Sequence, residues 1–206
     1  MHLTLFLRGL AIGFSIAAPV GPIGVLCIRR TLADGRAFGL ASGLGAATAD
    51  AIFGCIAGFG LTFASTFLVN QQKWLKLLGG AFLCYLGLKT LLAKVEDWPG
   101  VAKGKGLVHA YASTFFLTLA NPMTIISFAA VFSSLGMAAP AASYSSAGTL
   151  AVRVSLGSAL WWLVLSVGVG ALRKKLAPSG LRLVNRIAGA VILGFGVWAL
   201  VAALWS

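Results

Sequence analysis

The chain has 206 residues, of which 59% are hydrophobic and 10% charged, and its mean hydropathy is +0.97. Soluble domains carry about 25% charged residues, so this composition excludes a water-exposed globular surface, disorder, collagen and a disulfide-rich secreted scaffold. The net charge of +12 lies in short clusters between apolar runs, which is typical of membrane topology and not of nucleic-acid binding, and the sequence therefore predicts an integral membrane protein.

Six stretches are long and apolar enough to cross a bilayer, because a spanning helix needs about 20 mostly apolar residues. They cover roughly residues 4–28, 38–65, 74–94, 112–135, 150–172 and 184–205. No signal-peptide cleavage motif follows the first stretch, so it is interpreted as a span. The predicted fold is an all-α, polytopic membrane protein with a single transmembrane domain over residues 1–206.

The first span contains a predicted break at Pro19, Gly21 and Pro22. Proline removes a backbone donor and clashes with the preceding turn, and glycine weakens a helix further. Freed carbonyl groups are tolerated at membrane depth only inside protein or beside a wet cavity. A half-helix that begins near Pro22 directs its positive end at an anion such as a carboxylate, whereas the alternative is a simple packing kink.

Asp50 is the one acidic residue within a predicted span. A charged side chain at the centre of a bilayer costs at least about 2.5–3.5 kcal/mol, so such residues are usually functional. We therefore predict that Asp50 couples transport to protons, binds an ammonium group of the substrate, or does both in alternation. The alternative is a structural aspartate that Thr48 or a serine of the fifth span satisfies by a hydrogen bond.

The fourth span contains the second predicted break, at Asn121 and Pro122, although a kink capped by the asparagine is an alternative. Polar or aromatic residues that could line a substrate pathway lie in the second, fourth and fifth spans: Thr48, Thr118, Thr124, Ser127 and Trp161. Pairs of glycines four residues apart, such as Gly9 and Gly13, predict faces for helix packing.

The two halves of the chain resemble each other. The segment from Leu77 to Leu91 is similar to that from Arg186 to Leu200, with Gly80 opposite Gly189 and Gly87 opposite Gly196 in the alignment. Since each half has three spans, the halves must run in opposite directions. This predicts a 3+3 inverted repeat with broken helices one and four, the first repeat over about 1–95 and the second over about 110–206.

Orientation follows from the cations, because cytoplasmic loops retain lysine and arginine. The links after spans one, three and five carry most of them, whereas Arg8, Lys73, Lys76 and Arg153 lie on the other side. Both termini are therefore predicted on the non-cytoplasmic side of the membrane.

The three cysteines, Cys27, Cys55 and Cys84, lie within apolar runs at unrelated spacings. This pattern is typical of packing residues and predicts neither a metal site nor a disulfide framework. A six-span thiol–disulfide electron carrier is an alternative function, but it needs a reactive cysteine in each half, and here all three lie in the first.

The sequence resembles the lysine-exporter (LysE/RhtB) family of small amino-acid efflux proteins. The resemblance covers nearly the whole chain and is carried by AAPVGPIGVLCIRRTLADGRAFGLASGLGAATAD, LLGGAFLCYLGLKTLL, FFLTLANPMTIISFAAVF and NRIAGAVILGFGVWAL. Two positions depart from the family pattern: Val20 separates Pro19 from Gly21 where members often read Pro-Gly-Pro, and Met123 stands where many members carry lysine.

The resemblance implies a non-enzymatic secondary transporter without a cofactor, which exports amino acids or related zwitterionic metabolites and uses the proton gradient. The implied partners are a small-molecule substrate, protons and the lipid bilayer. The alternatives are a metal-ion exporter of the same superfamily and a purely structural subunit. Association into homo-oligomers through the glycine faces stays open, as does the identity of the substrate.

Overall fold

The computed structural model describes residues 2–18, 21–58, 70–92, 105–121, 124, 127–128, 144–173 and 178–205. These residues form seven helices and no strand. In chain order the helices are α1 (His2–Ala17), α2 (Pro22–Ala33), α3 (Arg36–Gly58), α4 (Gln72–Leu92), α5 (Lys105–Ala120), α6 (Tyr144–Arg173) and α7 (Pro178–Leu204).

Four of these helices are long and apolar enough to cross a membrane: α3, α4, α6 and α7. A fifth crossing results if α1 and α2 form one broken span, with an angle of 80° between its two parts. The apolar part of α5, Gly106–Ala120, is shorter. Many large hydrophobic side chains on α4, α6 and α7 are exposed, as the lipid-facing surface of a membrane protein requires.

The first predicted break falls between the end of α1 at Ala17 and the start of α2 at Pro22. At the second, α5 ends at Ala120, directly before Asn121. Pro19, Val20, Pro122 and Met123 lie outside the described residues.

The helix bounds differ from the predicted spans mainly at their polar ends. The fourth span was predicted to start near residue 112, but α5 begins at Lys105, and α6 begins at Tyr144 instead of residue 150. A window of apolar residues misses these first turns because they contain lysine, histidine or serine. Helices continue past the apolar core wherever the backbone can still make its internal hydrogen bonds.

Helix α3 is central in the packing, since it contacts α2, α5 and α6, while α1 packs on α6 and α4 packs on α7. One buried cluster joins α1, α2, α3 and α6 around Cys27 and Trp162, and another joins α2, α4, α5 and α7 around Leu26 and Ile192. The short helix α2 therefore lies inside the bundle and contributes to both clusters.

A tight turn joins α2 to α3. Gly35 has φ of +109°, a conformation that side-chain-bearing residues rarely adopt. The Arg173 guanidinium at the end of α6 donates a hydrogen bond of 3.0 Å to the Ala33 carbonyl. The turn is thus held from outside by α6, which fixes the depth of α2 in the bundle.

Candidate functional site

Helix α2 begins in the interior of the protein, at the first break. Gly21 is the N-cap residue with extended backbone, and Pro22 occupies the first turn, where its missing N–H is not needed. The first bond of the helix runs from the Val25 N–H to the Gly21 carbonyl, at 3.0 Å. The preceding N–H groups, of Ile23 and Gly24, have no acceptor within the helix, which makes this end a site of positive potential.

Two adjoining cavities lie at the break. The smaller, of about 60 Å³, is lined by Gly24 of α2, Asp50 of α3, Trp162 of α6 and the second break. The larger, of about 280 Å³, extends from the breaks toward the start of α4 and the end of α7. Five residues border both cavities: Ile16, Gly21, Ile23, Asn121 and Thr124.

Asp50 lies inside the bundle with 4% of its surface exposed and borders the smaller cavity. The Ser158 hydroxyl of α6 donates a hydrogen bond of 2.6 Å to its Oδ2 atom. This is the serine of the fifth predicted span that the sequence offered as a partner. Thr48, the other candidate, donates to the Leu44 carbonyl and accepts from the Tyr111 hydroxyl instead.

Trp162 also borders this cavity. Trp162 is 5% exposed, and its Nε1 atom has no hydrogen-bond acceptor among the described residues. Buried polar groups are nearly always paired, so an unpaired N–H beside a cavity is a candidate ligand donor. Trp161, the residue selected from the sequence, packs its ring edge-to-face on Phe14 with centroids 5.0 Å apart.

The structure brings most of the predicted site residues together. Gly21, Asp50 and Asn121 border the smaller cavity, and Pro22 borders the larger. Of the predicted pathway residues, Thr118 and Thr124 border the smaller cavity, and Ser127 borders the larger. Pro19 and Pro122 lie outside the described residues.

Sequence reasoning missed Arg30, which it placed in a basic link outside the membrane. Its side chain is 6% exposed and is surrounded by hydroxyl groups of α3 and α5. Its neighbour Arg29 follows the prediction better, since it pairs with Asp34 at 3.6 Å near the α2–α3 turn. Arg29 and Arg30 are adjacent and both follow an apolar run, so the sequence does not indicate that Arg30 lies inside the bundle while Arg29 pairs with Asp34.

Over the part of the chain that the structure describes, no three histidine, cysteine, aspartate or glutamate side chains come close enough to hold a metal ion. Cys27, Cys55 and Cys84 are free thiols on three different helices. The geometry instead places one carboxyl group, one indole N–H and one helix N-terminus around a small cavity.

A family model described as "LysE type translocator" matches residues 14–203. A Bacillus subtilis (strain 168) protein named "Putative amino acid efflux protein YcgF" is 29% identical over 202 residues, with 95% of each chain covered. A Synechocystis sp. protein named "Uncharacterized membrane protein slr1627" is 25% identical over 198 residues, with 91% of each covered. No solved structure matches the chain.

Proposed function

We propose that this chain, which belongs to the LysE type translocator family, exports amino acids or related small zwitterions from the bacterial cytoplasm, coupled to inward movement of protons through Asp50. Membership of the family makes the chain a multi-pass membrane transporter of a small-molecule substrate. The more specific proposal is carried by one observation: a buried carboxyl group and unpaired donors border the same cavity between two helix ends.

The cavity offers complementary partners for the two charges of a zwitterion. The Asp50 carboxylate suits an ammonium group. The N–H groups at the start of α2, together with the Trp162 indole N–H, suit a carboxylate, because helix N-termini bind anions. Few but well-placed polar groups in a mostly apolar cavity are typical of small-molecule sites.

The burial of Asp50 supports the proposed coupling of transport to protons. An unpaired charge inside a protein is costly, and a single serine hydrogen bond compensates only part of that cost. The carboxyl group therefore needs either a proton or a substrate ammonium group in each state of the transport cycle. Because the carboxyl group holds either a proton or a substrate ammonium group but not both, each transport cycle exchanges substrate for protons.

The proposal includes the six spans and the inverted repeat, which the packing of α4 on α7 supports. A Cβ atom added at Gly80 would lie 3.0 Å from the Gly196 carbonyl oxygen, and one added at Gly189 would lie 3.0 Å from that of Gly87. In the sequence alignment of the halves, Gly80 corresponds to Gly189 and Gly87 to Gly196. Replacing each glycine by its counterpart in the other half therefore turns the first contact into the second, as a two-fold axis between the halves requires.

A second pair of contacts supports the same relation. Gly157 of α6 packs against the Leu10 carbonyl and the Phe14 N–H of α1. Gly45 of α3 packs in the same way against the Tyr111 carbonyl and the Phe115 N–H of α5. The contact between spans one and five is thus repeated between spans four and two.

We place the α2–α3 turn on the cytoplasmic side of the inner membrane and both termini on the other side. Apart from the buried Arg30, eleven of the other 15 lysines and arginines lie in or beside the three links on the side of that turn, and cytoplasmic loops retain such cations. In this orientation the larger cavity extends from the breaks toward the non-cytoplasmic side, because the start of α4 and the end of α7 lie there.

The proposal is tested in two steps. Growth of an overexpressing strain is first compared with that of the parent strain on inhibitory concentrations of each amino acid and its toxic analogues. Purified protein in proteoliposomes is then assayed with the compound to which resistance appears, under imposed pH gradients. We expect pH-driven transport by the wild type and a loss of at least about 100-fold in the Asp50→Asn variant, because an amide cannot exchange a proton.

Asp34→Asn is the matched control. Asp34 pairs with Arg29 at the partly exposed α2–α3 turn, and such pairs contribute only about 0–1 kcal/mol. We expect this variant to transport within about twofold of the wild type. Transport by Asp50→Asn at the wild-type rate under every gradient would contradict the coupling role of Asp50.

A further inference from the structure

Arg30 carries the largest hydrogen-bond cluster of the described side chains. Its Nη1 atom donates to the Ser42 hydroxyl at 2.8 Å, the Thr114 hydroxyl at 2.8 Å and the Ala110 carbonyl at 3.0 Å. Its Nη2 atom donates to the Ser113 hydroxyl at 2.8 Å. One guanidinium group thereby ties α2 to both α3 and α5.

These acceptors of Arg30 are all neutral. The ion pair seen among the described residues joins Asp34 to Arg29, not to Arg30. A buried cation is normally paired with an anion, because neutral dipoles compensate its lost hydration less well than a carboxylate does. The Arg30 site is therefore complementary to an anion, and none of the described residues supplies one there.

The cluster lies beyond the lining of the smaller cavity, toward the α2–α3 turn. Ser42 precedes Ala46 by four residues on α3, and Thr114 precedes Thr118 by four residues on α5. Ala46 and Thr118 both border the cavity. Four residues of α-helix rise about 6 Å, so the cluster lies one helical turn from the cavity.

We propose that Arg30 is a substrate-binding residue at the cytoplasmic end of the pathway, where it receives the carboxylate of the entering substrate in place of the hydroxyl groups. The inference rests on the proposed function and adds a second site to it. The planar guanidinium group binds a carboxylate through two parallel hydrogen bonds, which are stronger than bonds to neutral hydroxyls. The substrate then moves one turn further, to the cavity at Asp50.

The exchange leaves no hydroxyl group of α5 without a partner. Ser113 and Thr114 already donate to the Ala110 carbonyl, at 3.2 and 2.9 Å. Loss of the Arg30 bonds to these hydroxyls and to Ser42 also removes the side-chain links from α2 to α5 and α3. Arrival of a carboxylate would therefore favour the separation of these helices that opens the cytoplasmic side.

The test is competition at the cytoplasmic face. Inside-out membrane vesicles present this face to the medium, and they take up a mixture of the 20 isotope-labelled amino acids. Inhibition of that uptake is measured with the unlabelled amino acids and with their carboxamides, which lack the carboxylate. We expect wild-type protein to prefer the acids, and Arg30→Lys, which keeps the charge but loses the planar fork, to lower the acid-to-amide preference about tenfold.

Arg29→Lys is the matched control, because Arg29 is the adjacent arginine and binds Asn185 and Asp34 instead. We expect it to keep the wild-type preference. A purely structural role for Arg30 would lower uptake but leave the acid-to-amide preference unchanged, and this result would overturn the inference. Wild-type vesicles that take up no amino acid more than vesicles without the protein would contradict the proposed function instead.

A second variant decides the question if Arg30→Lys does not fold. Ser42→Ala removes one hydroxyl that the carboxylate must displace, so we expect the KM for amino acids at the cytoplasmic face to fall severalfold. An unchanged or higher KM in a folded Ser42→Ala protein would overturn the inference.

Discussion

Asp50 and Trp162, both at least nine-tenths buried, border one cavity although they come from different helices, α3 and α6. Neither arrangement improves the stability of the bundle, because a buried charge and an unpaired donor both cost free energy. Such costs are usually retained where a ligand removes them. At the scale of single residues, the candidate site is thus recognised by two costly groups: the buried Asp50 carboxyl group, which has one serine as its partner, and the Trp162 indole N–H, which has no acceptor among the described residues.

Replacement of Trp162 by phenylalanine tests this interpretation, because it keeps a six-membered aromatic ring and removes the five-membered ring that carries the N–H. We expect the KM for transported substrate to rise about tenfold, as the loss of one hydrogen bond of about 1.4 kcal/mol predicts, with little change in thermal stability. Trp161→Phe is the control, since the Trp161 ring packs on Phe14. Equal KM values for the two variants would argue against a ligand role for Trp162.

Residues of the site differ in how well the sequence predicts them. Asp50 is identifiable because a lone acid in an apolar span is rare. Trp161 and Trp162 are adjacent, and which of them borders the cavity depends on the rotation of α6 about its axis. Apolar residues occur on every face of α6, so the sequence does not indicate this rotation. Arg30 is hidden for another reason: the 80° bend turns α2 into the bundle, so a cation expected at the membrane surface lies inside the protein.

The helices of the two halves meet through glycines. On α7, Gly196 lies against the backbone of α4, where an added Cβ atom would be 2.7 Å from the Cys84 amide nitrogen and 2.9 Å from the Gly80 carbonyl oxygen. Gly194, two residues away on the same helix, has nothing within 4 Å of such an atom. Close approach of backbones through small residues is a main source of helix association in membranes. The alignment of the halves predicted this pair of helices, but only the structure shows that they contact each other.

We therefore expect Gly196→Ala to lower the thermal stability of the purified protein by about 1–3 kcal/mol, the usual cost of an overpacked contact. Gly194→Ala should leave stability unchanged or raise it by up to about 1 kcal/mol, because alanine is the better helix former. Thermal unfolding in one detergent gives both values. Equal destabilisation by the two substitutions would show that α4 and α7 do not pack as described.

Among the described residues, the side of Asp50 toward the α2–α3 turn is closely packed, and the larger cavity lies toward the opposite side. Hydrogen bonds of Arg30 join α2, α3 and α5 on the side of the α2–α3 turn, whereas the larger cavity continues from the breaks toward the opposite end. A transporter built from two inverted repeats alternates between such a state and its mirror arrangement. In the proposed inverted-repeat mechanism and orientation, this arrangement corresponds to a state in which Asp50 exchanges its occupant with the non-cytoplasmic side.

In the proposed mechanism, protons and substrate compete for the carboxyl group of Asp50. Dicyclohexylcarbodiimide reacts with buried protonated carboxyls, and mass spectrometry of the purified protein measures the labelled fraction of Asp50. We predict that labelling falls in proportion as the exported amino acid is added and as the pH is raised, while an amino acid that is not exported has no effect. Labelling of Asp50 that does not change at a saturating concentration of the exported amino acid would contradict the account.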